Sequence, residues 1–324
     1  PPPGPGGGAG ARGRERKKKK NIASPRGFPR RTLIIREGYM KIFRETYGKY
    51  GNVVSLVSGG IKLSVTTDIG PRIIFYGRDG GENILFEDKN DEVNKPEELM
   101  DPLLKGKGGW HIYGGHRLWK SPEYMDTYYP DNFPVKAEER EDGVVFTSDV
   151  ELTTGLEKSV RVSMDEKGVV TLEHKFVNRG KEETTPIAMW ALTVMDGGAE
   201  AHLPLDTSDT AFLPNRNVVH WCYNKVDDPR LCVTDDDITI KFDKAQPRPL
   251  KVGTMNTLGY VYAYTKAGKF TIKLPAPDGG VYPDFSCNVE SYTYNLFTEI
   301  ETLSSLFTLK PGESRTHTEV WSLE

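Results

Sequence analysis

Short stretches of alternating apolar and polar residues recur along most of the chain and predict β-strands. In the stretch 169–177 the apolar residues share one face, and His174 falls among them, which predicts a buried histidine. Gly59-Gly60 separates two such stretches and suits a tight primed hairpin turn. The predicted strands cover residues 52–58, 61–66, 69–76, 83–86, 145–152, 157–164, 169–177, 186–195, 217–222, 238–242, 259–264, 269–274, 289–294, 296–303, 307–309 and 315–323.

This many short strands with almost no helical pattern predicts an all-β protein with two large antiparallel sheets packed face to face. The continuous apolar run 186–195, PIAMWALTVM, is typical of a strand covered on both faces. A propeller is the alternative architecture, and it requires a blade repeat of about forty residues. The sequence shows no such repeat.

The stretch 108–135, GGWHIYGGHRLWKSPEYMDTYYPDNFPV, follows neither a helical nor a strand period. It combines aromatic and ionisable residues with glycines before each histidine and prolines in its second half. Such a composition predicts an ordered loop, and loops held by a rigid scaffold are where binding residues concentrate. The alternative is a structural connection whose tryptophans cover a core.

Composition narrows the class of protein further. The cysteines Cys222, Cys232 and Cys287 are odd in number and form no CxxC pair, which argues against a disulfide framework and a cysteine zinc site. No apolar run reaches the length needed to cross a bilayer, and the N-terminus lacks the apolar core of a signal peptide. We therefore expect a soluble cytoplasmic protein that does not enter a membrane.

The formal net charge of −3 is unevenly distributed. Residues 1–32 contain ten arginines and lysines against Glu15 alone, which is +9, and the remaining chain carries −12. This Pro/Gly-rich basic arm has almost no apolar residue and is predicted to be disordered, leaving 33–324 as a single domain. An acidic body is a poor binder of nucleic acid, because neutralisation of phosphates by basic residues supplies most of the non-specific affinity.

Two carboxylates in the predicted strand 296–303 are candidates for proton transfer. Glu299 and Glu301 fall on the same face of that strand and repel each other. If the face lines a cleft, one of the two should have a raised pKa, as an acid/base catalyst requires. If the face meets water, the carboxylates only increase solubility.

Several of these segments, in this order, resemble the galactose-mutarotase-like superfamily. They are IKLSVTTDIGPRIIFYG, a Gly-His-Arg segment, a strand ending in VNRG, PIAMWALTVM and the terminal TEIETLSSLFTLKPGESRTHTEVWSLE. GGHRLWKSPE with YYPDNFPV and WALTVMDGGAEAHLP is similar to an uncharacterised bacterial family within it. The resemblance covers roughly residues 50–324. It implies a β-supersandwich with a carbohydrate-sized cleft on one sheet.

The resemblance also implies roles for individual residues. In aldose 1-epimerases a late carboxylate acts as base on the anomeric hydroxyl, and a histidine acts as acid at the ring oxygen. Matched by motif, the histidine is His116, the carboxylate is Glu299 or Glu301, and an arginine that grips the sugar is Arg72 of GPRI. His111 and His174 compete for a second histidine position. Because sugar faces stack on aromatic rings and sugar hydroxyls pair with polar groups, we add a set of substrate-binding candidates. These are Arg72, His111, Arg117, Trp119, Tyr129, Asp131, Asn132 and His174.

Structural roles compete with these assignments. Arg72 can pair with Asp68, Tyr128 and Tyr129 can belong to the core, and Asp131-Asn132 can form a turn. His111, His116 and the two glutamates could form a metal set, but their spacing is not diagnostic, and we predict neither a metal site nor a cofactor.

Three functions remain open at this point. The first is a carbohydrate-binding, mutarotase-like isomerase of the aldose 1-epimerase type, and the second is a non-catalytic carbohydrate-binding or glycan-processing accessory domain. The third is an interaction protein acting through the basic arm. The sequence leaves open which sugar is bound, whether it is phosphorylated, and the oligomeric state.

Overall fold

Antiparallel strands are the main regular structure in a computed structural model that describes residues 32–34 and 40–324. The predicted basic arm, residues 1–32, lies outside the described residues except for Thr32. The strands in chain order are β1 (Thr32–Ile34), β2 (Lys41–Thr46), β3 (Asn52–Ser58), β4 (Ile61–Thr66), β5 (Ile73–Arg78), β6 (Asn94–Lys95), β7 (Trp110–His111), β8 (His116–Ser121), β9 (Lys136–Arg140), β10 (Gly143–Val150), β11 (Leu156–Met164), β12 (Val170–Asn178), β13 (Ala188–Asp196), β14 (Glu200–Pro204), β15 (Val219–His220), β16 (Leu231–Val233), β17 (Asp237–Lys241), β18 (Leu250–Thr254), β19 (Tyr260–Thr265), β20 (Gly268–Lys273), β21 (Val289–Thr293), β22 (Phe297–Leu303) and β23 (Ser314–Leu323).

Helical structure in the described part of the chain is limited to single turns. They are α1 (Pro283–Ser286) and the 3-10 turns Gly48–Tyr50, Glu97–Leu99, Pro102–Leu104 and Met125–Tyr128. None of the helices in residues 40–324 has the length and apolar character needed to cross a membrane.

Two large sheets contain nearly all of the strands. The first sheet has eleven strands in the order β1-β2-β3-β4-β5-β8-β13-β22-β21-β18-β15. The second has ten strands in the order β16-β17-β14-β19-β20-β23-β12-β11-β10-β9, and β6 pairs with β7 separately. The all-β sandwich of antiparallel sheets predicted from the sequence is therefore confirmed.

The main core lies between the two large sheets. The first sheet contributes residues such as Val252 and Ile300, and the second contributes Val261, Phe270 and Trp321, all of them buried. Burying such a side chain stabilises the fold by about 1.5–3 kcal/mol relative to leaving it in water. This apolar face of each sheet therefore holds the sandwich together.

A second apolar cluster covers the opposite face of the first sheet. Trp119, Trp190 and Leu192 pack there against Leu104 and Trp110 from the connecting segments. The central strands of the first sheet are thus buried on both faces. All of the first eight residues of β13 are buried, as the continuous apolar run 186–195 predicted.

The segment 108–135 differs from its prediction as an irregular loop. Its middle forms β8, which lies between β5 and β13 at the centre of the first sheet and pairs with residues 188–193 of β13. Gly114 and Gly115 precede the strand with φ of 97° and 69°. A Cβ on Gly115 would lie 2.2 Å from the carbonyl oxygen of Ile73, so only glycine permits this close approach of β5 and β8.

Local side-chain bonds explain another difference. The predicted strand 83–86 is reduced to isolated bridges at Leu85 and Glu87. The Asn83 side chain accepts from the Tyr76 amide at 3.1 Å and donates to the Ile74 carbonyl at 2.8 Å. It thereby replaces the ladder bonds that a strand would make with β5. By contrast, the hairpin at Gly59-Gly60 is confirmed, with φ of 53° and 76° at the two glycines.

Candidate functional site

A cleft of about 350 Å³ lies on the face of the first sheet that points away from the second sheet. Five neighbouring strands, β8, β13, β22, β21 and β18, contribute alternate side chains to it. Residues paired directly across antiparallel strands point to the same face, and Leu192 pairs with both Arg117 and Glu301. The lining residues used below are Arg117, Trp119, Glu123, Tyr128, Trp190, Tyr223, Lys251, Tyr292, Glu299 and Glu301.

An arginine and a glutamate face each other in this cleft. Arg117 Nη1 lies 3.4 Å from Glu299 Oε1, and the guanidinium stacks 4.2 Å from the centre of a Trp119 ring. Burial raises the pKa of Glu299 to about 7, although the positive charge of Arg117 opposes the shift. Burial lowers the pKa of Arg117, because it disfavours the charged form of an arginine as it does that of a glutamate. Glu299 can therefore gain or lose a proton near neutral pH, the property required of an acid/base group.

A buried lysine bridges two further carboxylates beside this pair. Lys251 Nζ lies 2.7 Å from Glu290 Oε2 and 2.8 Å from Glu301 Oε2. Burial alone would lower the pKa of Lys251, but the two carboxylates outweigh it and raise the pKa well above its usual value. Burial raises the pKa of Glu290 well above its usual range. The three groups lie close enough for the protonation of one to affect the others.

Aromatic rings form much of the cleft floor and walls. Trp190 Nε1 donates to Glu301 Oε2 at 2.6 Å, and the Lys251 ammonium lies 4.4 Å from the Trp190 ring centre. Trp119 packs with its ring centre 5.1 Å from Tyr128 and 5.5 Å from Trp190, and only 6% of the residue is exposed. Tyr128 donates to Glu123 at the edge of the cleft. The cleft thus combines flat apolar surfaces with hydrogen-bonding groups.

Of the residues predicted for the site, Arg117, Trp119, Glu299 and Glu301 meet in this cleft. The structure corrects the expectation that His116 converges with Glu299 or Glu301 in one cleft. His116 pairs with Thr193, whereas its neighbour Arg117 pairs with Leu192, so His116 points to the opposite face of the first sheet. There it meets His174 between the sheets, and both residues are at most 2% exposed.

Three other predicted residues hold the connecting segments together. Arg72 is fully buried and bonds Asp131 at 3.0 Å, not Asp68, and it also donates to the Gly114 carbonyl at 3.2 Å. Asn132 donates to the Gly109 carbonyl at 2.9 Å and accepts from the Tyr113 hydroxyl at 2.7 Å. These bonds fix the segments that flank β8, and none of the three side chains lines the cleft.

The last two predicted residues lie elsewhere. His111 Nδ1 lies 2.6 Å from Asp91 Oδ1 in a partly exposed pair. Tyr129 lines a second, smaller cavity of about 50 Å³ that also reaches His116 and His174. Neither residue contributes to the cleft that contains Glu299.

Sequence reasoning missed Lys251, Glu290 and Trp190. Lys251 lies between Leu250 and Val252 in an apolar strand, and a charged residue in such a position is the one signal that points to a buried partner. The identity of that partner depends on sheet order, because Glu290 and Glu301 come from strands 39 and 50 residues further along the chain.

Comparisons with known proteins bear on the fold. No family model matches the sequence, and no curated protein matches it either. Among solved structures, the chain is similar to a TPR-domain containing protein from Parabacteroides distasonis, with a TM-score of 0.56 and 16% identity over 83% of this chain. The match spans 46% of that protein, so this chain corresponds to about half of its length.

Weaker similarities extend to two further structures. A galactose mutarotase-like protein from Clostridium acetobutylicum matches with a TM-score of 0.44 and 12% identity, over 87% of this chain and 98% of that one. A 4-alpha-glucanotransferase from Thermococcus litoralis matches with a TM-score of 0.36 and 10% identity, over 92% and 40%. Structural similarity at such low sequence identity gives no information about activity. The match to the Parabacteroides distasonis protein shows only that this chain shares its β-sandwich fold with part of a solved protein.

Proposed function

We propose that the protein binds a carbohydrate in the cleft on the first sheet. The observation that carries the proposal is the placement of the Arg117–Glu299 pair beside Trp119, Trp190 and Tyr128 in one cavity of about 350 Å³. A cavity of this volume accommodates a small ligand such as a monosaccharide. Aromatic faces suit the apolar faces of a sugar ring, and the charged groups suit its hydroxyls.

Titration calorimetry with a panel of neutral and phosphorylated monosaccharides tests this proposal. The parent protein should bind at least one sugar, and Arg117→Gln should weaken that binding by about tenfold or more, because it removes a charged hydrogen-bond donor. Arg161→Gln is the matched control, since Arg161 lies on the second sheet and pairs with Glu173 at 2.7 Å. Equal affinities for the parent and Arg117→Gln, or no binding of any sugar, would refute the proposal.

An epimerase-type reaction is a second candidate, and the specific observation in its favour is the pKa of Glu299, raised by burial to about 7. In such a reaction Glu299 removes the proton of the anomeric hydroxyl while the bond between the anomeric carbon and the ring oxygen breaks. The ring oxygen must then receive a proton. Tyr128 and Tyr292 line the same cavity and remain protonated, since burial raises the pKa of both hydroxyls.

This assignment replaces His116 as the acid, because His116 faces away from the cleft. The rate of anomer exchange, followed by NMR, should rise with pH through about 7 as Glu299 loses its proton. Glu299→Gln should reduce that rate by about a hundredfold or more. Glu173→Gln, at a partly exposed glutamate on β12 of the second sheet, should leave it unchanged. If sugar binds but anomers exchange no faster than in buffer, the protein is a binding domain without turnover.

A further inference from the structure

Three ionisable side chains from three strands converge between the two sheets, behind the cleft. His116 on β8 and His174 on β12 bring their Nε2 atoms within 3.1 Å of each other. Each of these nitrogens lies 3.9 Å from Oε2 of Glu319 on β23. All three residues are buried, with Glu319 fully so.

Hydrogen bonding alone accounts poorly for this arrangement. A single proton can bridge the two imidazole nitrogens, but the carboxylate oxygen that both rings face is beyond hydrogen-bond distance of either ring. A neutral imidazole has a lone pair on one ring nitrogen, which is the donor that a metal ion needs. His174 Nδ1 is also buried and has no hydrogen-bond partner among residues 40–324.

The same distances fit a shared metal ion. The three separations of 3.1, 3.9 and 3.9 Å define a triangle whose centre is about 2.1 Å from each donor atom. Zinc binds histidine nitrogen at about 2.0–2.1 Å and carboxylate oxygen at about 2.0–2.2 Å. These three atoms are the one set of at least three His, Cys, Asp or Glu donors found within 4.8 Å of one another in the described part of the chain.

Neighbouring groups orient the donors as they do in metal sites. His116 Nδ1 lies 2.9 Å from Thr193 Oγ1, which holds the ring with Nε2 toward the other two donors. Glu319 Oε1 accepts from Thr302 Oγ1 at 2.5 Å, and Oε2 accepts from Trp321 Nε1 at 2.9 Å. Such outer contacts fix the direction of ligating side chains and strengthen metal binding.

A route to the site is present as well. The smaller cavity of about 50 Å³ is lined by both histidines and by Asp131, Ser148 and Lys158 nearer the edge of the sheets. A water molecule in this cavity can complete four-coordination, which three protein ligands leave open. The cluster therefore has the donor types, the spacing, the supporting contacts and the access expected of a metal site.

We propose that the protein binds one Zn²⁺ ion at His116, His174 and Glu319. The ion joins β8 of the first sheet to β12 and β23 of the second. Because Arg117 is the next residue along β8, the same ion holds the strand that presents Arg117 to the cleft. No metal site was expected at these residues from the sequence, and the ion would bind regardless of which ligand the cleft takes.

Metal analysis of the full chain tests the site directly. Protein without an affinity tag is stripped with a chelator, incubated with Zn²⁺ and desalted, and bound metal is measured by mass spectrometry. We expect one zinc per chain and a higher melting temperature with zinc than in chelator, because an ion that binds the folded state stabilises it. Co²⁺ should give visible d–d absorption bands that disappear when Zn²⁺ is added. A zinc content near zero, or no visible bands with Co²⁺, would overturn the proposal.

Variants locate the ion. Glu319→Gln keeps an oxygen that can accept from Trp321 but removes the anionic ligand, and we expect its affinity for Zn²⁺ to fall by at least tenfold. The matched control is His202→Gln, which alters a histidine bonded to Asp237 at 2.6 Å on the second sheet. Loss of zinc from the control and not from Glu319→Gln would contradict the assignment. If Glu319→Gln does not fold, the Co²⁺ spectrum of the parent chain still decides between a metal site and a hydrogen-bonded cluster.

Discussion

The two faces of the first sheet at β8 both bury ionisable side chains, but they do so by different means. On the cleft face, Arg117 and Lys251 lie against the carboxylates Glu299, Glu290 and Glu301. On the face between the sheets, His116 and His317 have pKa values lowered by burial to about 3 and about 4. The interior face thus uses neutral rings, while the cleft face keeps opposite charges together.

This difference indicates separate roles for the two faces. A charged residue that borders an open cavity can exchange its protein partner for a ligand, because the polar groups of the ligand replace the lost contact. Imidazole nitrogens and a carboxylate oxygen gathered at one point are the donor types that a divalent metal ion binds. One strand therefore supplies a candidate sugar contact and a candidate metal ligand at consecutive positions.

The largest effect is expected from removing the lysine of the cleft. Lys251→Met leaves Glu290 and Glu301 buried without their cation and should lower the free energy of unfolding by about 4–5 kcal/mol at neutral pH. The loss should shrink in acid, where a buried carboxylate left without its cation can take up a proton. Urea unfolding measures it, with Lys241→Met as control, because Lys241 is 58% exposed and pairs with Glu200 at the surface. If Lys251→Met lowers the free energy of unfolding no more than the control does, the ion pairs of the cleft face do not stabilise the protein more than surface pairs do.

Trp119→Ala tests whether the aromatic floor is structural. The ring is enclosed by Trp110, Tyr128 and Trp190, so we expect the free energy of unfolding to fall by about 3–4 kcal/mol. Thermal and urea unfolding provide the measurement, and Phe212→Ala, at a fully exposed ring, is the control. A variant that unfolds like the parent but loses sugar binding would make Trp119 a ligand platform instead of a core residue.

Glu299→Gln should change how stability depends on pH. The folded-state pKa of Glu299, about 7, lies above its ordinary value of 4.5, so the folded protein retains a proton that the unfolded chain has lost. Stability of the parent should therefore fall as pH rises from about 4.5 to 7, by at most about 3 kcal/mol from this group. The Gln side chain does not titrate, so the stability of the variant should lack the part of the pH-dependent decline that Glu299 causes. Parallel stability curves for parent and variant across this range would contradict the raised pKa.

The smallest effect is expected at a pair exposed to water. Arg161 on β11 bonds Glu173 at 2.7 Å, and its side chain is 35% exposed. Arg161→Gln should change the free energy of unfolding by less than about 1 kcal/mol, because solvent screens surface ion pairs. A change as large as that of Lys251→Met would remove the distinction between surface and cleft pairs.

Periodicity determined much of the fold from the sequence alone. The alternation in 169–177 placed His174 on the buried face of β12, and the structure confirms it. Glu299 and Glu301 share a face of β22, also as the period of two requires. The run PIAMWALTVM marked a strand buried on both faces, and β13 is that strand. These predictions succeeded because each depends on neighbours within one strand.

Tertiary structure decided the remainder. The segment that contains β8 is predicted to be a loop because its aromatic and ionisable residues, broken by Gly and Pro, follow no period, yet His116 and Arg117 are buried with partners from distant strands. Lys251 meets Glu290 and Glu301, and His116 meets Glu319, only because the sheet order brings those strands together. A local sequence pattern indicates which face of a strand a residue occupies. Which partner makes the burial of a charge favourable depends on the long-range pairing of strands. The sequence therefore determined the sandwich and its strands, and the tertiary structure separated Glu299 in the cleft from His116 in the core.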